Sequence, residues 1–267
     1  MARGTRSSIH AYGRGAVVKV PYPSTPTGWI DSEAQYADAV HAVGAPVPRL
    51  LGVEQIFGRP ASVWERIEGP SMWQQVTDQP GLAPDLGRLL ADIQEGLFEL
   101  VPPLTLPGQR DRLVSKIRRS AAMVDASLLR ALDLLPGESG PPRLCHGDLH
   151  PSNVILSPNG PMIVDWFDAS RGDPVADVAR TSVTLLGDGD GDRGPRHLPG
   201  SNGRTLGALT GSYLARLRAP LAIGADLLAR WQAIQAVARM SEGVPRETLF
   251  EVWTRFDQLP AVQATAN

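Results

Sequence analysis

Cys145-His146-Gly147-Asp148-Leu149-His150-Pro151-Ser152-Asn153-Val154-Ile155-Leu156 is the stretch whose reading decides the fold. Twelve residues after Asn153, the run Met162-Ile163-Val164 ends on Asp165. The apolar pair Leu144-Cys145 enters a polar loop carrying His146, Asp148 and Asn153, and a second apolar run, Val154-Ile155-Leu156, follows at once. Ser157-Pro158-Asn159-Gly160-Pro161 then turns the chain back. This pattern predicts a β-hairpin that gathers Asp148, Asn153 and Asp165 at one end. Two carboxylates and an amide at a strand end can hold a hard cation and orient a hydroxyl. Phosphoryl transfer needs such a set, because the protein's part in it is mostly positioning and charge neutralisation.

The spacing resembles the catalytic loop and metal-binding aspartate of the protein-kinase-like superfamily, and most closely its aminoglycoside phosphotransferase and choline-kinase-like branch. Protein kinases write the loop H-R-D-L-K-P-E-N; here it runs His146-Gly147-Asp148-Leu149-His150-Pro151-Ser152-Asn153. Gly after the His is the small-molecule-kinase form, as is Asp165-Trp166-Phe167 in place of Asp-Phe-Gly. The resemblance implies an α+β, two-lobed fold. Residues 1–67 would form a nucleotide-binding lobe, a small antiparallel sheet with one main helix. Residues 68–267 would form a mostly helical lobe holding the catalytic hairpin and the acceptor region.

Site roles follow from the same resemblance. Asp148 would orient or deprotonate the acceptor hydroxyl, and His146 would brace the loop. His150 stands where protein kinases carry a lysine facing the γ-phosphate. Asn153 and Asp165 would ligate Mg²⁺. Asp177 would brace the loop backbone. Asp168 reads as an exposed loop acid, the alternative being an extra ligand or substrate contact. The donor would be ATP, with GTP as the alternative.

Lysine usage adds an independent signal. Of 26 basic residues only Lys19 and Lys116 are lysines. Lys19 sits inside Ala16-Val17-Val18-Lys19-Val20, where a charge is costly unless paired. A compact ammonium meets phosphate oxygens as a point charge, which suits it to a nucleotide site; a water-facing edge strand is the other reading. Asp31–Val43 reads as a helix with Asp31 or Ser32 as N-cap, and Glu33 shares its face with Tyr36, Ala37 and Val40. A carboxylate on an apolar face needs a cation, and Lys19 is the candidate. Otherwise Glu33 serves only the helix dipole.

Ser8–Tyr12 and Ala16–Val20 read as one hairpin, Leu50–Ile56 and Ala61–Ile67 as another. By resemblance, the small-residue loop up to Ser7 and Ser8 covers the triphosphate, and backbone groups of Glu65 and Ile67 meet the base. The family places a full strand before that loop. This chain enters at Met1-Ala2-Arg3-Gly4, so the first strand is expected to be missing and the Ser8–Tyr12 edge unpaired. Further on, Pro84 opens a helix with an apolar stripe, and Asp173 caps the helix that begins at Pro174. A helical region carries Leu113, Ile117, Val124, Leu128 and Leu132. Gly187–Gly203, rich in Gly and Asp, reads as a mobile loop or a disordered stretch beside the cleft. Three helices close the chain.

Composition narrows the function. No apolar run approaches the roughly 20 residues that cross a membrane. A net charge of −2 argues against general nucleic-acid binding. A single cysteine, Cys145, excludes an internal disulfide framework. With no apolar leader after Met1 it predicts a cytoplasmic protein. From Gly187 onward eight acids face nine arginines, a balance that does not select a polycationic acceptor. The expected partner is a small molecule bearing a hydroxyl, a metabolite or an antibiotic; oligomeric state is not readable. Eleven residues between Asp165 and Asp177 are too few for a peptide-binding activation segment, which disfavours a protein kinase. The other reading is a catalytically weak nucleotide-binding regulator, which would have no need of Asp148.

Overall fold

Short alternating strands and one helix build the N-terminal lobe. A computed structural model describes residues 2–3, 6–26, 28–137, 140–186, 203–243 and 246–257. The strands β1 (Ala2–Arg3), β2 (Ser7–Ala11), β3 (Ala16–Pro21), β4 (Leu50–Ile56) and β5 (Arg59–Glu65) form an antiparallel sheet in the order β1-β2-β3-β5-β4. Ala16, Val18, Ala61 and Val63 make its small core. Lys19 lies opposite Ile9 on one side and Ser62 on the other, so it is on the central strand, not an edge. Two sequence expectations are corrected here. Ala2 and Arg3 pair with Ile9 and Ser8, so a two-residue strand covers the edge expected to be bare. β2 begins at Ser7, one residue before the expected Ser8, so Ser7 belongs to the sheet and not to the loop.

Helix α1 (Gly28–Ala42) starts a turn earlier than the expected caps. Trp29 and Ile30 are buried, and that apolar turn is worth adding to the helix. Ser32 is therefore inside the helix, its hydroxyl donating back to the Gly28 carbonyl, and caps nothing.

The rest is mostly helical. Helices α2 (Met72–Asp78) and α3 (Ala83–Phe98) follow, α3 opening on Pro84 as expected. The expected second helical region is split into α4 (Gln109–Met123) and a 3-10 run over Ala126–Leu132. Strand β6 (Arg143–Cys145) pairs with β9 (Ser170–Gly172), and β7 (Val154–Ser157) with β8 (Gly160–Ile163) in the predicted hairpin. Helix α5 (Pro174–Leu186) is buried from Val175 through Leu185, the mark of a core helix enclosed on every side. Its first turn is capped by Asp173, whose carboxylate accepts from the Val175 amide at 2.7 Å. Helices α6 (Gly203–Arg218), α7 (Ala225–Arg239) and α8 (Glu247–Asp257) close the fold, α6 against α3 and α7 between α5 and α8. The expected mobile loop from Gly187 lies outside the described residues, apart from Gly203, which begins α6. Among the described residues no helix is long and apolar enough to cross a membrane.

Candidate active site

The candidate catalytic loop, His146 to Asn153, is held by its own backbone and by α5. The Val164 amide donates to the Asn153 carbonyl at 2.9 Å, which brings Asp165 beside the loop. Asn153 spends its amide nitrogen on the Asp148 carbonyl at 3.0 Å, a bond that does not use its amide oxygen. Asp177 accepts from the His146 and Gly147 amides at 3.1 and 2.8 Å and from Gln94 at 2.9 Å. These bonds satisfy loop amides that would otherwise be buried without partners.

His146 is fully buried. Its Nδ1 accepts the Asp148 amide at 3.2 Å, so Nε2 carries the proton and donates to the Val164 carbonyl at 3.1 Å. One imidazole thus ties the loop to the strand that delivers Asp165. His150 Nδ1 accepts the Ser152 amide at 3.3 Å, and Nε2 stands 3.9 Å from Asp148 Oδ2. Burial pushes the His150 pKa down, which favours a neutral ring.

The path of the loop requires a glycine at position 147. Its φ is +80°, and a Cβ there would overlap the Asp168 carbonyl. The Arg of protein kinases has no room at this position.

The Asp148 side chain is 28% exposed. Burial alone would raise its pKa, but the Arg180 guanidinium, at 2.9 Å from Oδ1, prevails and with Arg239 holds it well below the usual carboxylate range. Asp165 adopts a left-handed backbone, φ 68° and ψ 60°, a strained conformation for a residue with a side chain. Its carboxylate is 42% exposed. Burial raises its pKa as well, but the Lys19 charge prevails and keeps it below the usual range.

Lys19 joins the lobes. Its ammonium lies 2.5 Å from Glu33 Oε1 and 3.0 Å from Asp165 Oδ1. Its Nζ also sits 4.5 Å from the centroid of the Trp29 ring. Glu33 is buried on α1 facing this lysine, which excludes a role limited to the helix dipole. Burial pushes the Glu33 pKa up to about 7, against the pull of Lys19 and with the push of Asp165.

The remaining expected residues sit away from this knot. The Ser7 side chain is buried in β2, and the Ser8 hydroxyl is 2.9 Å from His10 Nε2. Their hydroxyls are therefore poorly placed to cradle phosphates. Glu65 ends β5 and donates its amide to the Arg49 carbonyl at 2.9 Å, so a base edge meeting it would use its carbonyl. Ile67 lies just beyond, where the chain leaves the sheet. Cys145 is buried, and burial pushes its thiol well above the usual range, as suits a packing residue.

Asp168 corrects an expectation. It is only 16% exposed and pairs with Arg112 at 3.2 Å and Lys116 at 3.0 Å. Lys116 continues to Glu242 at 2.8 Å, and Arg180 reaches both Glu242 oxygens at 3.0 and 2.9 Å. Both lysines of the chain thus stand in the site. The scarcity that singled out Lys19 applied equally to Lys116, and it was the one available signal for this second network.

Three relatives frame the geometry. An aminoglycoside 3'-phosphotransferase of Streptomyces fradiae is 29% identical over 190 residues, covering 63% of this chain and 69% of that protein. A thermostable mutant of aminoglycoside phosphotransferase APH(4)-Ia, solved with AMP-PNP and hygromycin B, superposes with a TM-score of 0.64 at 17% identity. That alignment covers 100% of this chain and 93% of the other. A choline/ethanolamine kinase family protein from Mesorhizobium loti superposes at 0.53 with 15% identity, over 94% and 85% of the two chains. These two structures share the protein-kinase-like fold. Residues 7–197 match the phosphotransferase enzyme family, well over half of the sequence, and the chain belongs to that family.

Proposed function

We propose that this phosphotransferase is a small-molecule kinase that moves the γ-phosphoryl group of ATP to a hydroxyl of a small metabolite or antibiotic. The observation that carries the reading is the convergence of Asp148, Asn153 and Asp165 with Lys19 at one cleft. In this reading residues 1–67 hold the nucleotide and the helical remainder holds the acceptor. Lys19, oriented by Glu33, binds α/β-phosphate oxygens. Backbone groups at Glu65 and Ile67 meet the base.

The donor set fits Mg²⁺. An ionised Asp165 and the Asn153 amide oxygen are two hard oxygen ligands, and phosphates and water complete such sites. When bound there, the ion would neutralise phosphate charge as the transferring group departs. Asp148 is ionised and a weak base, so its part is to accept the hydrogen bond of the acceptor hydroxyl and aim its oxygen at phosphorus. A loose transition state asks for this positioning more than for basicity. His146 holds the loop in register. His150, in the place of the protein-kinase lysine, would face the γ-phosphate, with Nε2 3.9 Å from Asp148.

The relatives support aminoglycosides as first candidates, and the choline/ethanolamine kinase likeness keeps other alcohols in view. The test is ADP release from Mg·ATP across a panel of aminoglycosides, amino alcohols and sugars. Turnover on at least one alcohol above the water rate is expected. Tight Mg·ATP binding with no acceptor, and no effect of Asp148→Asn, would favour a nucleotide-binding regulator instead.

A further inference from the structure

We infer that Arg180 is a positioning residue for phosphoryl transfer, which rests on the kinase reading above. It fixes Asp148 by Oδ1 so that Oδ2 is presented to the acceptor hydroxyl, and Glu242 holds Arg180 in place. Asp177 and Arg180 are three residues apart on α5, and so share one helix face. Asp177 binds the loop backbone at His146 and Gly147, and Arg180 binds the loop's Asp148 side chain. A single helical turn therefore sets both the path of the loop and the rotamer of its carboxylate.

The environment of Arg180 fits that task. Its side chain is 3% exposed, so the guanidinium cannot swing out to water. A buried cation is tolerable only when it is well paired. Glu242 provides this with both carboxylate oxygens, and is itself held by Lys116 at 2.8 Å. Arg180 is thus anchored on one side and bound to Asp148 on the other. An aspartate left to itself would rotate about χ2 and offer either oxygen. Here one oxygen is occupied, which removes that freedom before the acceptor arrives. The guanidinium fork suits this geometry better than an ammonium would.

The experiment compares the wild-type chain with Arg180→Met and Arg180→Lys, using Mg·ATP with hygromycin B, kanamycin A, choline and water as acceptors. Arg180→Met should lower kcat roughly 10- to 100-fold, with Mg·AMP-PNP affinity kept within about twofold. Arg180→Lys should recover part of kcat. An unchanged kcat in Arg180→Met, or a loss matched by an equal loss of nucleotide binding, would overturn the inference. Should Arg180→Met fail to fold, Glu242→Gln takes its place: a clear loss of kcat at unchanged nucleotide affinity supports the anchor, and wild-type kcat refutes it. A wild-type chain inactive on every acceptor, water included, would count against the kinase reading. The positioning claim is then decided by the crystal structure of Arg180→Met, or of Arg180→Lys if the former does not fold. A displaced Asp148 carboxylate supports it, and an unmoved one overturns it.

Discussion

Lys19 and Asp165 are 146 residues apart in the chain and 3.0 Å apart in space. One is the candidate phosphate-binding cation and the other the candidate metal ligand, and here each neutralises the other. A bound Mg·nucleotide offers each a partner of opposite charge, so the direct bond should part when it binds. Glu33 keeps its hold on Lys19, because its carboxylate is buried and a buried charge is costly to leave unpaired. In a crystal structure with Mg·AMP-PNP, Lys19 should remain on Glu33 and leave Asp165. Finding the Lys19–Asp165 bond intact beside a bound nucleotide would contradict the roles given to both residues.

Asp148 and Asp165 should fail in different ways. Asp148→Asn removes the acceptor-facing carboxylate and should cost at least about 10²-fold in kcat, with nucleotide affinity nearly unchanged. Asp165→Ala should abolish the Mg²⁺ dependence of nucleotide binding in calorimetry. Near-normal turnover by Asp148→Asn would remove the loop from the chemistry.

The two halves of the site differ in how far they could be read from sequence. Asp148, Asn153 and Asp165 lie within one hairpin, and local spacing between apolar runs suffices to bring them together. Lys19 and Glu33 were legible through cost: each is a charge on an apolar face, and the cheapest remedy is the other. Arg180 and Glu242 carry no such mark. They are 62 positions apart, on a helix and a turn whose meeting depends on how α5 and α7 pack. Asp168 looked like a loop acid because its partners, Arg112 and Lys116, come from α4. The short first strand escaped for a simpler reason. Two residues show no periodicity, and the Ala2–Arg3 pairing becomes visible only once β2 is in place.

Glu242 should tie stability to pH. Arg180, Lys116 and Arg239 outweigh its burial and lower its pKa to about 2, from an ordinary 4.5. A lowered acid stabilises the fold above its unfolded value and loses that contribution as pH falls toward the folded one. At pH 7, above the unfolded value, that contribution is fully present. Glu242→Gln should therefore melt well below wild type at pH 7, and the gap should narrow as pH drops from about 5 toward 3. A gap constant over that range would mean the carboxylate charge is not what Arg180 depends on.

Gly147→Ala tests why this loop lacks the protein-kinase arginine. Two penalties coincide there: a φ of +80°, and a Cβ overlapping the Asp168 carbonyl. The second displaces the segment that carries Asp165 and Asp168, so the damage should reach the site. Gly13→Ala is the control, because Gly13 has a φ of +59° with nothing within 4 Å of a Cβ. Gly13→Ala should cost about 1 kcal/mol of backbone strain alone and leave turnover intact. Gly147→Ala should cost several times as much in urea denaturation and depress kcat as well. Equal losses for the two variants, with activity retained in both, would show that Asp168 gives way freely and that the glycine is there only for its backbone angle.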